Sequence, residues 1–175
     1  GVGMLAVAAT ALAGFQVVAC TRKKTVSDVL LSLGASAVQS PEEALPDDKK
    51  PLSSARYLGV IDTVGGELLA HILRVVAAGG AVASIGNAGG VMLPTTVYPF
   101  ILRGVTLAGI DAAGLPSREK RKELWAKLAV LWPLMSGVFP VRQIGLQEVG
   151  DWAAKMRSGR IGGRAVVLPQ KEVRK

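Results

Sequence analysis

The chain opens Gly1-Val2-Gly3-Met4-Leu5-Ala6, runs without a charge to Cys20, and turns polar at Thr21-Arg22-Lys23-Lys24. Its first six residues fit the pattern G-x-G-x-x-A. There the first glycine permits a tight turn, the second lets a pyrophosphate approach the backbone, and a small third residue lets helix pack on sheet. Phosphates bound this way lie at a helix N-terminus, where free N–H groups and the dipole favour negative charge. An ordinary glycine turn is the alternative, because Gly and Ala are abundant here. Order along the chain favours the first reading. A helix over about residues 2–13, a turn at Gly14, a buried strand at Phe15–Cys20 and a polar loop follow as a dinucleotide-binding unit requires. A membrane span or export signal fits these residues less well. The run is Ala-rich, lacks a basic stretch ahead of it and is broken by Gly14.

Working outward, strands alternate with helices. Ser27–Leu33 reads as a helix capped by Gly34, and Ala37-Val38-Gln39 as a short strand. Residues 41–55, with Pro41, Pro46 and Pro51, read as a surface connection holding at most one short helix. Tyr57–Asp62 is a strand, and Gly66–Ala78 a helix stopped by Gly79-Gly80. Ala81–Ile85 is the next strand, Val97–Leu102 a helical turn, and Val105–Ile110 another strand. This rhythm implies βαβ units on a parallel sheet, an α/β fold of Rossmann type with flanking helices. Beyond it, Ser117–Met135 reads as a long helix with Leu124, Trp125, Leu128, Leu131, Trp132 and Met135 on one face. A helix over Gln147–Arg157 and a strand at Ala165–Leu168 complete the chain.

Composition bounds what this fold can do. With 175 residues, half of them hydrophobic and 19% charged, the chain has one sizeable core and is not disordered. A single Cys and a single His exclude a disulfide scaffold and a zinc site built from Cys and His alone. The net charge of +8 is uneven: residues 1–102 balance seven basic against seven acidic side chains, and residues 103–175 set fourteen against six.

The candidate chemistry sits at strand ends. About twenty residues after the fingerprint, an NAD site places Asp or Glu for the ribose 2′-OH. Here that place holds Thr21, Arg22 and Lys23, which suit a 2′-phosphate and so NADPH; a solvated basic loop is the plainer alternative. Two further glycine turns, Asp62-Thr63-Val64-Gly65-Gly66 and Ile85-Gly86-Asn87-Ala88-Gly89-Gly90, follow strands, where open α/β sheets bind ligands. Asp62 and Asp111 are read as acceptors of backbone N–H bonds rather than an acid/base pair. His71 is read as a surface or partly buried helix residue, and Cys20 as a small buried residue whose neighbouring cations could lower its pKa.

The string Leu93-Pro94-Thr95-Thr96-Val97-Tyr98-Pro99-Phe100-Ile101-Leu102-Arg103-Gly104-Val105, continuing to Gly109-Ile110-Asp111, resembles the acrylyl-CoA reductase group. These are zinc-independent medium-chain dehydrogenases/reductases, historically grouped as quinone oxidoreductases. Ile61-Asp62-Thr63-Val64-Gly65 and Gly162-Gly163-Arg164-Ala165-Val166-Val167 look similar too, and the resemblance covers essentially the whole chain. It implies a cytoplasmic enzyme that reduces an activated C=C bond, of acrylyl-CoA or a related enoyl-CoA, enone or quinone, with NADPH and no metal. By that resemblance Gly1, Val2 and Gly3 hold the pyrophosphate, and Thr21, Arg22 and Lys23 the 2′-phosphate. Thr63 and Asn87 line the cofactor cleft, Ile101 lies near the nicotinamide, and Ala112 and Arg160 contribute near the cofactor. Ala112 stands where the family often has Ser, and Thr21-Arg22-Lys23 replaces Ser-Gly-Arg. Ser158-Gly159-Arg160 stands where relatives place an amide.

The resemblance further implies a domain division at 115/116. Residues 1–115 would form an NADP-binding Rossmann domain whose central first strand is missing, and residues 116–175 a tail returning toward a GroES-like catalytic domain. On this expectation the fragment is inactive alone and has unpaired backbone where the first strand belongs. It would also expose apolar surface around Trp125, Trp132 and Trp152. The partners implied are a small-molecule substrate, no nucleic acid and no membrane, with a homodimer allowed for the full-length enzyme. Two other functions stay open on sequence: an NADP-binding sensor without catalysis, and a nucleic-acid-binding domain using the basic tail.

Overall fold

Without a charged or polar residue before Thr10, the start of the chain forms α1 (Val2–Leu12), which buries Met4, Val7 and Ala8. The computed structural model describes residues 1–45, 50–114 and 117–169. Strand β1 (Val17–Cys20) follows the positive-φ turn at Gly14 and pairs with β2 (Ala35–Gln39), with α2 (Ser27–Ser32) between them. A capping box starts α3 (Pro41–Ala44): Ser40 Oγ accepts from the Glu43 N–H, and the Glu43 carboxylate accepts from the Ser40 N–H.

The second sheet has three parallel strands in the order β3-β4-β5: β3 (Tyr57–Asp62), β4 (Val76–Ser84) and β5 (Thr106–Gly109). Helix α4 (Gly66–Leu73) joins β3 to β4, and α5 (Tyr98–Arg103) leads into β5. A third, two-stranded parallel sheet pairs β6 (Val141–Gly145) with β7 (Arg164–Leu168); α6 (Arg118–Met135) precedes it and α7 (Val149–Arg157) lies between its strands. The architecture is α/β with parallel strands and flanking helices. Among the described residues β1 and β3 each pair with one strand only, and no helix is long and apolar enough to cross a membrane.

Two compact units share the chain. One comprises Gly1–Ala19, Lys23–Val38 and Ala129–Lys175, and the other Cys20–Arg22 and Gln39–Leu128. The core of the first gathers Met4, Val7, Leu30, Leu33, Met135 and Phe139. That of the second gathers Leu69, Ile72, Leu73, Val75, Val76, Val82 and Val105. The division expected at 115/116 falls on residues outside those described, as does Pro46.

Four expectations need correction. The helix read as Gly66–Ala78 ends at Leu73, and Val76–Ala78 already belong to β4. Gly79 and Gly80 lie inside that strand, where the pairing jumps from Tyr57↔Val76 to Gly59↔Ala81. This irregularity needs glycine: Gly79 has φ +70°, and a Cβ on Gly80 would stand 2.5 Å from the Leu58 carbonyl. Strand β6 was not expected at all. Phe15–Cys20 is not a buried strand either. Phe15 precedes the strand and is 64% exposed, and only Ala19 is buried, because β1 is flanked by a single partner. Cys20, read as buried beside cations that could lower its pKa, is exposed, and its thiol is pushed up. Desolvation of the sulfur contributes most, followed by Glu42 and Glu43, which α3 brings near.

Of the three indoles whose surroundings the resemblance leads one to expect exposed, two are exposed and one is half-buried. Trp125 is 66% and Trp132 41% exposed. Trp152 is half-buried beneath Arg142, whose guanidinium lies 5.5 Å from its ring centroid. Trp132 also meets Phe139 at a centroid distance of 6.0 Å.

Candidate functional site

In the three-stranded sheet the registers Asp62↔Ser84 and Ser84↔Gly109 bring the carboxyl ends of three parallel strands level. Open parallel sheets bind ligands beyond such ends. Two of these ends, those of β3 and β4, carry glycine turns that interlock. The Asp62 carboxylate is buried and accepts from the Val64 and Gly65 N–H groups at 3.0 Å, which folds the chain back into α4. Ile85 N–H donates to the Asp62 carbonyl at 2.8 Å, and Gly89 N–H to the Val64 carbonyl at 2.7 Å. A Cβ on Gly65 would stand 2.8 Å from the Gly90 oxygen, and one on Gly86 2.5 Å from the Thr63 oxygen. These glycines are therefore required first by the approach of one turn to the other.

A concavity of about 160 Å³ opens between these turns, lined by Gly65, Leu69, Ser84, Asn87 and Met92. Pockets that enclose a whole ligand hold roughly 300–1,000 Å³, so this one is smaller than a pocket for a whole ligand. Thr63 is half-buried and Asn87 exposed, and both belong to this turn pair. Ile101, 67% exposed on α5, and Ala112, exposed in the loop after β5, belong to the same unit. In that loop Asp111 Oδ1 accepts from Ala113 N–H at 3.1 Å and Gly114 N–H at 2.8 Å. Both aspartates thus act as backbone acceptors. His71 is a half-buried residue of α4.

The first unit holds the other candidates. Gly1 is the N-cap of α1 and contributes no side-chain cap, and no acid occupies the first turn, so the N–H groups of this end have no competing carboxylate beside them. A Cβ on Gly1 would lie 3.2 Å from Arg164 Nη2. Lys23 Nζ donates to the Ile161 carbonyl at 2.8 Å. Arg160 is exposed past the end of α7. Val2 and Gly3 form the first turn of α1.

Thr21 and Arg22 belong to the other unit. Thr21 N–H donates to the Gln39 carbonyl at 2.9 Å, and Arg22 is exposed. The Glu42 carboxyl is held below its usual range by its own backbone N–H and by Ser40, with a smaller contribution from Arg22. Sequence reasoning missed two participants, Arg164 and Glu42. Arg164 lay within a quoted motif, Gly162-Gly163-Arg164, but its nearness to Gly1 depends on the β6–β7 sheet. Glu42 is twenty residues from Arg22, and only the fold of α3 brings it within reach.

Arg103, from the Pro-Phe-Ile-Leu-Arg-Gly string, has a structural task. Its Nη1 donates to the carbonyls of Arg74 and Val76, both at 3.0 Å, which ties α5 to the junction of α4 and β4. Among the described residues no three His, Cys, Asp or Glu side chains gather as a metal site.

A family model described as zinc-binding dehydrogenase matches residues 1–129. The acrylyl-CoA reductase AcuI of Ruegeria pomeroyi is 38% identical over 167 residues, which is 95% of this chain and 50% of that protein. The crystal structure of Escherichia coli K-12 YhdH with bound NADPH superposes with a TM-score of 0.87 at 40% identity, over 95% of this chain and 51% of that one. Bacillus subtilis YhfP with NAD bound gives 0.77 at 38% identity, with the same coverage. The chain therefore spans about half the length of the relatives it matches.

Proposed function

Because the chain belongs to the zinc-binding dehydrogenase family, we propose that it is the NADPH-binding part of a reductase acting on an activated carbon–carbon double bond. The substrate in this reading is acrylyl-CoA or a related enoyl-CoA, enone or quinone. The observation that carries the cofactor assignment is the start of α1, with no capping side chain, no acid in its first turn, and Arg164 beside Gly1. Such a place suits a diphosphate, which receives backbone N–H groups, the helix dipole and the Arg164 guanidinium. NADPH supplies a hydride to the β-carbon of the alkene while a proton reaches the α-carbon.

The residues of this chain bind and orient. Gly1, Val2, Gly3 and Arg164 hold the diphosphate, and Lys23, with Thr21 and Arg22, holds the 2′-phosphate. Thr63 and Asn87 border the crevice at the ends of β3 and β4, with Ile101, Ala112 and Arg160 completing the surroundings of the cofactor. Among the described residues no cluster of His, Cys, Asp or Glu suits a zinc ion. Residues 1–115 serve as the cofactor domain, and residues 116–175 return toward a catalytic domain that supplies the rest of the substrate pocket, in an enzyme able to form homodimers. A bound NAD in the YhfP crystals and Glu42 near Arg22 favour a looser cofactor preference; Thr21, Arg22 and Lys23 favour NADPH.

Two substitutions test the assignment. Charge-assisted hydrogen bonds contribute roughly 1.5–3 kcal/mol, or about 10- to 150-fold in affinity. Arg164→Gln should weaken NADPH and NADH alike by that factor, since both carry the diphosphate, whereas Lys23→Gln should weaken NADPH alone. Unchanged affinity in both variants, measured by titration of cofactor fluorescence, would remove the proposed site.

A further inference from the structure

The loop that follows β1, Thr21-Arg22-Lys23-Lys24, contains no acid. Carboxylates reach it from the end of the neighbouring strand. Thr21 N–H donates to the Gln39 carbonyl at 2.9 Å, which sets the end of β1 level with the end of β2. Ser40 follows Gln39 at once and caps α3, whose first turn carries Glu42 and Glu43. Arg22 lies one residue past Thr21, and Glu42 three residues past Gln39, so both stand close beyond the same hydrogen bond.

The two acids have different tasks. The Glu43 carboxylate accepts from Ser40 N–H at 2.7 Å, and Glu43 N–H donates to Ser40 Oγ at 3.3 Å, which commits that side chain to the cap. The frame around them is tied down: Arg56 Nη1 donates to the Glu43 carbonyl at 3.1 Å, and the Tyr57 hydroxyl donates to Gln39 Oε1 at 3.1 Å. Glu42 is exposed, and the capping box does not need it. Its own backbone N–H and the Ser40 hydroxyl hold its carboxyl below the usual range, and Arg22 adds a smaller pull. After desolvation, Glu42 does most to push up the Cys20 thiol at the end of β1. A fixed negative charge therefore stands beside the strand end at which the loop presents its positive ones.

We propose that Glu42 sets how strongly this loop discriminates between the two nicotinamide dinucleotides. Its carboxylate accepts the ribose 2′-OH of NADH, a role that the loop itself leaves unfilled, and repels the 2′-phosphate of NADPH that Arg22 attracts. The preference for NADPH is then a balance of opposed charges rather than a property of the basic loop alone. Because Glu42 and Arg22 are both exposed, the opposition is modest and is screened by salt. The inference rests on the 2′-phosphate site proposed above.

The test is fluorescence titration with NADPH and NADH, with adenosine 2′,5′-bisphosphate and 5′-AMP as competitors that confine the effect to the adenosine end. Glu42→Gln keeps an acceptor and removes the charge. NADPH should then bind about 2- to 5-fold more tightly, the range of exposed charge pairs, with NADH nearly unchanged. Glu42→Ala removes the acceptor too, so NADPH should tighten while NADH weakens about 2- to 12-fold. At about 1 M salt the gain for NADPH should disappear, because the Debye length falls to roughly 3 Å. Glu123→Gln removes the same charge from an ion-paired position on α6 and should leave both affinities as they are. Glu42 is exposed and Glu43 keeps the Ser40 cap, so the Glu42 variants retain the fold. Unchanged discrimination in both of them, with Lys23→Gln still weakening NADPH, would overturn the role of Glu42 and leave the 2′-phosphate site in place. Equal affinity for the two cofactors in the parent protein and in both Glu42 variants would defeat the site and this inference together.

Discussion

Gly86→Ala tests whether the two glycine turns hold each other. A Cβ at position 86 would stand 2.5 Å from the Thr63 oxygen and 3.0 Å from its carbonyl carbon. Both are backbone atoms, and they belong to the turn that Asp62 anchors with its carboxylate, so neither swings aside as a flexible side chain would. Relief must come from separating the turns, which stretches the Gly89–Val64 and Ile85–Asp62 hydrogen bonds. Overpacking of this kind costs about 1–3 kcal/mol. For a chain of this size each kcal/mol lowers Tm by about 2–4 °C, so the expected loss is about 2–12 °C. Gly137→Ala is the matched control, because an added Cβ there meets nothing within 4 Å and the backbone is not left-handed. Its Tm should stay close to that of the parent protein. Calorimetric scans of both variants decide the matter. A Gly86→Ala protein that unfolds with the parent, or no lower than the control, would refute the interlock.

Two other outcomes follow from side chains outside the crevice. Arg103→Gln removes the donors to the Arg74 and Val76 carbonyls; the urea midpoint should fall by the equivalent of roughly 1.5–3 kcal/mol, and an unchanged midpoint would deny Arg103 its clamping role. Lys127 first, and then Lys120, hold the exposed Glu123 carboxyl down to about 2, so these ion pairs persist at neutral pH and are lost as pH falls below 4.5 toward 2. The sign follows from a folded pKa below the unfolded one, which makes protonation the event that breaks the pairs. A carboxyl resonance of Glu123 titrating at the ordinary glutamate pKa would contradict this.

How much was legible depended on whether the deciding interaction was local. Tyr57–Asp62 has the bounds the sequence predicts, because its strand signal ends at a turn that Asp62 itself builds. Helix α1 begins where the glycine pattern sets it. The end of α4 was not legible, since Val75-Val76-Ala77-Ala78 is an apolar run that suits a buried strand as well as a helix. Pairing with β3 and burial of both valines decide for the strand. Strand β6 was invisible for a similar reason. Val141-Arg142-Gln143-Ile144 has little alternation, and its ladder depends on β7, more than twenty residues later. At the site, the residues after strand ends were readable as positions, whereas the charges acting on them were not. Arg164 reaches Gly1, Glu42 acts on Cys20, and Arg22 acts on Glu42, only through tertiary placement.

The central claim is that the positive loop after β1 selects a 2′-phosphate, and the most direct test is a paired titration of this chain with NADPH and with NADH. With Thr21, Arg22 and Lys23 engaged, NADPH should bind about 10- to 150-fold more tightly, the range that one charge-assisted contact provides. Equal affinity for the two cofactors would contradict the claim and make the basic loop a bystander.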